Sequence, residues 1–164
     1  MSAPTINIEE NKKLFLDLVG SIERDGINEL VAFLEKSDFF TAPASTRFHC
    51  SLPGGLALHS LNVYHMFEHK CKSEPFKSIL GDMPEDSRKI ITLLHDVCKT
   101  YMYEIDYRNK KIYSDTGSKR DEKGRIDWAA VEYYTINDRV PYGHGEKSVM
   151  MIEEYIKLQP FERY

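Results

Sequence analysis

The stretch Thr92-Leu93-Leu94-His95-Asp96-Val97-Cys98-Lys99 constrains this chain more than any other. Ile90, Leu93, Leu94 and Val97 recur at helical spacing and predict one buried stripe. At about 100° per residue, Thr92, His95, Asp96 and Lys99 then share the opposite face. Pro84-Glu85-Asp86-Ser87 ahead of them suits a helix N-terminus, where carboxylates and hydroxyls meet free N–H groups. The solvated side of an ordinary amphipathic helix needs no special composition. An imidazole, a carboxylate and an ammonium side by side, however, are the parts that hold a metal ion and the phosphate it acts on.

The segments before it predict helices. Asn7 to Glu10 resembles a capping box with Asn in the Ser/Thr position, opening a helix that buries Leu14, Phe15, Leu18 and Val19. Asp25-Gly26 punctuates, and Ile27, Leu30, Val31 and Leu34 form a second stripe ending around Lys36. Residues 39–53 read as a loop carrying Arg47 and His49. Gly54-Gly55 leads into a long apolar helix whose paired glycines let another backbone approach its first turn. His59 lies one turn in, beside Val63 and Met66, the usual setting of a packed core histidine. His65 and His69 have chelating i, i+4 spacing but point about 100° away from His59, and read as surface residues.

Beyond Lys99 the texture changes. Residues 101–107 and 112–114, separated by Arg108-Asn109-Lys110-Lys111, predict a short β-hairpin. Residues 115–124 read as a charged loop and 129–136 as a third strand. Seven of the ten tyrosines lie between 101 and 142, where β-propensity explains them as well as base stacking does. A final helix opens near Pro141-Tyr142-Gly143-His144, with Val149, Ile152, Tyr155 and Ile156 as its apolar positions. His144 sits between two glycines with nothing to pack against, which favours a ligand role.

Composition bounds these readings. With 164 residues, 41% hydrophobic and 29% charged, residues 1–164 make one globular domain with a single core. A net charge of −4 excludes a global basic field for long nucleic acid, and argues against simple RNA binding through the tyrosine-rich segment. The three cysteines form no CxxC, so neither a disulfide framework nor a zinc ribbon is indicated. Reduced thiols in a cytoplasmic protein are the expectation. Neither a signal peptide nor a membrane-length apolar run is present in the sequence, so no membrane partner is expected.

His59 after Gly-Gly, His95-Asp96 with Lys99, and a later Gly-His opening a helix form an ordered set. The segments GGLALHSLNV, LLHDVCK and GHGEKSV resemble the HD-domain superfamily of metal-dependent phosphohydrolases. In particular they resemble the branch of bacterial 3′–5′ exoribonucleases and HD hydrolases of phages and bacteria. The resemblance spans about residues 38–158 and implies a mainly α-helical bundle with a small β excursion at about 101–136. It implies one or two divalent ions (Mn, Fe, Ni, Zn or Mg), with His59, His95 and Asp96 on the first and His144 on the second. Asp96 and Lys99 would be catalytic, Lys99 beside the substrate phosphate, and His49 would lie near the substrate. The family continues past this point with further histidines and a metal-binding Asp, so the chain looks shortened at its C-terminus. Coordination would then be incomplete and apolar surface exposed near Leu94, Val149 or Ile152. Two functions follow: hydrolysis of a phosphate ester or anhydride of a nucleotide or oligonucleotide, or a catalytically incomplete metal- or nucleotide-binding module. Oligomeric state is left open.

Overall fold

The structure, a computed structural model, describes residues 6–138, 140 and 142–164. Its first helix, α1 (Ile8–Gly20), is capped by Asn7, whose Oδ1 accepts from Glu10 N at 3.1 Å. Asn7 Nδ2 in turn donates to the Glu10 carboxylate at 3.0 Å, so the two side chains close the cap together. Phe15 and Val19 carry the buried face, whereas Leu14 stands on the rim, 40% exposed. α2 (Ile27–Lys36) buries Ile27, Leu30 and Leu34. Gly26 precedes it at φ +87°, and a Cβ there would lie 1.9 Å from the Tyr155 carbonyl oxygen. Only glycine lets the start of α2 approach the chain that follows the last helix.

α3 (Gly55–Cys71) starts against the loop before it. A Cβ on Gly55 would stand 1.9 Å from the Cys50 carbonyl oxygen, so the paired glycines do admit a close backbone. Gly54 N donates to Thr41 O at 3.0 Å, Leu56 N to Ala42 O at 3.0 Å and Ala44 N to Cys50 O at 3.1 Å. Helix-start donors are thereby satisfied, and residues 41–50 are fastened across the first turn of α3. The short α4 (Lys77–Leu80) leads to α5 (Glu85–Leu93), and α6 (His144–Glu153) closes the helical set. Phe15, Leu30, Phe39, Leu56, Ile90, Leu93, Val97 and Ile152 pack into one core between these helices. Each such side chain contributes about 1.5–3 kcal/mol on burial. Leu94 and Ile152 are buried and Val149 is half-buried, and an apolar groove lined by Val63, Phe67, Ile91 and Val149 opens beside them.

The mainly α expectation is corrected by the sheet. Helix accounts for 45% and strand for 17%, with six α-helices and a three-stranded antiparallel sheet among the described residues, a mixed α and β architecture. β1 (Tyr103–Tyr113), β2 (Lys119–Asp121) and β3 (Gly124–Ile136) lie in the order β1-β3-β2. The predicted hairpin turn at Arg108–Lys111 does not form. β1 runs unbroken through it and pairs with β3 from Tyr103↔Ile136 to Tyr113↔Ile126. Arg108–Lys111 holds no glycine or proline, and the reversals occur where glycine permits them. Gly124 adopts φ +143°, and a Cβ on Gly117 would meet Ile126 N at 2.5 Å. No described helix is long and apolar enough to cross a membrane.

Candidate metal centre

The helix expected to carry His95, Asp96 and Lys99 stops before them. α5 ends at Leu93, and Leu94 N makes its closing α-type bond to Ile90 O at 3.2 Å. From there the bonds tighten to i→i−3: Val97 N to Leu94 O, Lys99 N to Asp96 O and Thr100 N to Val97 O. Two side-chain contacts divert the ladder. His95 Nδ1 lies 2.7 Å from the Thr92 carbonyl oxygen, and Ser148 of α6 donates to the His95 carbonyl at 2.7 Å. Ser148 Oγ also accepts from Cys98 N at 3.3 Å. Held in this way, the turn directs both the His95 ring and the Asp96 carboxylate at α3.

His59 meets them there. His59 Nε2 is 3.3 Å from His95 Nε2 and 3.5 Å from Asp96 Oδ2, and His95 Nε2 is 3.3 Å from Asp96 Oδ2. Donors about 2.1 Å from one ion stand about 3.0 Å apart at a right angle and about 3.4 Å apart at the tetrahedral angle. The triangle therefore has the dimensions of three ligands on one divalent ion, with the remaining positions open. These three residues can hold a metal ion. The tautomer of His95 also fits. A carbonyl oxygen can only accept, so Nδ1 carries a proton toward Thr92, and once the ring is neutral Nε2 is the nitrogen with a lone pair for an ion.

Electrostatics favour the same atoms. Burial alone would raise the Asp96 carboxyl, but bonds from His95 and Lys99 hold it well below the usual carboxylate range. His59 is lowered, first by burial and then by repulsion from His95. His95 is raised: burial opposes its charge, but the bond to Asp96 and the carboxylate charge outweigh it. Near neutral pH the site thus offers a carboxylate and a neutral His59, while an ion must compete with a proton for His95.

The other expected residues are placed differently. Lys99 Nζ donates to Asp96 Oδ2 at 2.8 Å and to the Ala44 carbonyl at 2.9 Å, so it grips the ligand carboxylate and the loop before α3. His49 is exposed, its ring centroid 4.7 Å from that of His59, at the mouth of the cluster. His144 opens α6 as expected, but its Nδ1 lies 3.5 Å from Cys98 Sγ and it does not join the three-ligand group. His65 and His69 are exposed. Sequence reasoning missed Ser148, the Ala44 carbonyl and Tyr103, whose hydroxyl donates to Ala44 O at 3.0 Å. Burial, with the nearby Asp96 charge, pushes the Tyr103 phenol up to about 12, so it stays a donor. A serine one helical turn after His144 was the available signal for Ser148, and no sequence signal marks a carbonyl.

Comparisons with protein-family models, with curated proteins and with solved structures find no match to this chain.

Proposed function

We propose that this chain is a metal-dependent phosphohydrolase acting on a phosphate ester or anhydride of a nucleotide or oligonucleotide. The observation that carries the proposal is the convergence of His59, His95 and Asp96 from two separate elements, with the far nitrogen of His95 tied to a carbonyl. The likeness of the GGLALHSLNV, LLHDVCK and GHGEKSV segments to HD-domain phosphohydrolases supports the same reading. Two imidazoles and one carboxylate suit Mn²⁺, Fe²⁺, Ni²⁺, Zn²⁺ or Mg²⁺. When bound, such an ion makes water a nucleophile near neutral pH and neutralises phosphoryl oxygens.

The chain's own residues supply the rest. Asp96 keeps its negative charge on the oxygen that faces both histidines. Lys99 holds positive charge at the same oxygen, where it offsets negative charge built up on a phosphoryl group. His49, exposed beside His59, stands where an incoming phosphate first meets the site. A groove of about 370 Å³ lined by Val63, Phe67, Ile91, Val149 and His95 opens next to the cluster and has room for a planar, largely apolar base.

A second reading, a binding module without turnover, draws on one observation. Lys99 shares the Asp96 oxygen that an ion needs, and only three side chains form the ligand group among the described residues. Metal content after dialysis, measured together with hydrolysis of bis(p-nitrophenyl) phosphate and of short oligonucleotides, separates the two. The hydrolase reading requires at least one ion per chain and turnover that His59→Ala abolishes. An ion or a nucleotide bound without turnover supports the module, and neither binding nor turnover defeats both.

A further inference from the structure

Among the described residues β1 is an outer strand of the sheet, with β3 on one of its two sides. The ladder between them fixes which backbone groups face outward. Asn137 N donates to Met102 O at 2.9 Å and Ser114 N to Arg125 O at 3.2 Å, both in the register that pairs Tyr103 with Ile136. Even-numbered residues of β1 therefore exchange hydrogen bonds with β3. The N–H and C=O of Tyr103, Ile105, Tyr107, Asn109 and Lys111 point to the open edge. Tyr107 agrees, because its N–H takes Asp106 Oδ1 at 2.7 Å instead of a β3 carbonyl. A long outer strand with Ile105 56% and Tyr107 60% exposed is a template for another strand.

The side chains along that edge are complementary to themselves. Glu104, Asp106, Arg108 and Lys110 lie on one face in the order acid, acid, base, base. A two-fold axis at Tyr107 sets Asp106 opposite Arg108 of a second copy and Glu104 opposite its Lys110, each pair occurring twice. In this register the odd-numbered residues form the hydrogen-bonded pairs. The charged residues fall at the non-hydrogen-bonded pairs, where side chains approach most closely. Moving the axis to Asp106 or to Arg108 sets like charges against each other. Only the Tyr107 axis satisfies backbone and charge together.

We propose that β1 pairs antiparallel with β1 of a second copy of this chain, centred on Tyr107, so that two three-stranded sheets become one. The contact is isologous and closes on itself. Pairing exchanges the Asp106–Tyr107 N–H bond for strand-to-strand bonds and releases Asp106 toward Arg108 of the second copy. Arg108 already lies over the Tyr133 ring at 5.1 Å, and the Tyr133 hydroxyl meets Asp106 Oδ2 at 2.9 Å. Both charges are therefore presented side by side before the second copy arrives. The proposal is independent of the hydrolase reading.

Sedimentation equilibrium of the full chain, with a disulfide trap, tests the pairing. The parent chain should be dimeric at concentrations of about 100 µM or below. Tyr107→Cys should form a linked dimer on mild oxidation, since residues facing each other in a hydrogen-bonded pair have Cα atoms about 5.5 Å apart. The parent, with its own three cysteines, should not. Arg108→Asp, which opposes two carboxylates at each of two symmetric positions, should weaken the dimer about tenfold or more. Asp106→Arg combined with Arg108→Asp restores opposite charges and should bring the dimer back to within about threefold of the parent. A parent that stays monomeric at about 100 µM overturns the proposal. So does a dimer indifferent to Arg108→Asp, a double variant that is not rescued, or a Tyr107→Cys chain that is dimeric yet forms no linked species on mild oxidation. Circular dichroism of each variant checks that the fold is kept, and the trap tests the register with the native charges in place.

Discussion

The ammonium of Lys99 stands on ground that a metal ion must share. Its Nζ is 2.8 Å from Asp96 Oδ2, the oxygen that faces both His59 and His95. An ion about 2.1 Å from that oxygen is within about 5 Å of Nζ by the triangle rule alone. At ~5 Å a unit charge and a divalent ion repel by ~1.7 kcal/mol in a medium like water, and by roughly four times that at an effective dielectric of about 20. The Lys99 side chain is only 12% exposed, so the figure for water is a floor. Lys99→Met removes the charge and keeps the stem, and Ala44 O retains its bond from the Tyr103 hydroxyl. This variant should therefore bind Mn²⁺ or Zn²⁺ at least about tenfold more tightly. Its turnover of a phosphate ester, measured with the site saturated in metal, should fall by about a hundredfold because positive charge near the phosphoryl oxygens is gone. Isothermal titration and single-turnover hydrolysis on parent and variant read the two effects separately. Weaker metal binding by Lys99→Met would refute the reasoning and make the lysine a support for the carboxylate, not a rival of the ion.

Asp96→Asn should lose the ion on dialysis and lose hydrolysis with it, since the amide leaves two imidazoles and no charge. Stoichiometric metal in that variant, by mass spectrometry of the element, would contradict the triangle of ligands. Metal affinity should fall as pH drops through the raised value of His95, above its ordinary 6.5, because the ion must displace that proton. Titrations near pH 8 and near pH 6 that give one affinity would count against it. Glu162 is buried against Arg24 at 2.7 Å and Ser87 Oγ at 2.6 Å, tying the chain after α6 to α5 and to the α1–α2 turn. Glu162→Gln should cost about 3 kcal/mol and lower Tm by about 10 °C at neutral pH. Burial opposes the Glu162 charge, but its bonds from Arg24 and Ser87 depress its pKa below the ordinary 4.5. Its contribution is therefore complete above that value and lost as pH falls through the lower folded one, so parent and variant should converge in acid.

The helical part of the fold was legible because its signals are local. Asn7 caps α1 through its own side chain, and the stripe of Ile27, Leu30 and Leu34 ends at Lys36, as periodicity alone dictates. Gly54-Gly55 announced a close backbone approach, which Cys50 O makes. The sheet is less legible, because a polar stretch inside an exposed strand looks like a turn. Arg108–Lys111 is charged because the ribbon is exposed on both faces, and an exposed strand carries no periodic burial to distinguish it from a loop. Partner choice was equally hidden. β1 pairs with β3 across the intervening short β2, a non-local ladder that no local pattern encodes.

At the site, sequence identified the residue types while tertiary contacts supplied the geometry. In a continuous helix the Cβ atoms of His95 and Asp96 would project about 100° apart on the polar face. They converge on His59 because α5 ends after Leu93, and it ends there because Thr92 O and His95 O are engaged by the His95 ring and by Ser148. Ser148 lies 53 residues from His95 in the chain, so α6 acts on the cluster through backbone it does not share. The same logic explains why His144 lies outside the group of three ligand atoms. Its glycine neighbours free it of packing duties, but α6 docks through Ser148, which brings His144 to Cys98 and away from the three ligand atoms. A position that looks available for coordination in sequence is thus assigned by the serine one turn later, whose hydroxyl bonds set how α6 sits against the turn that carries His95 and Asp96.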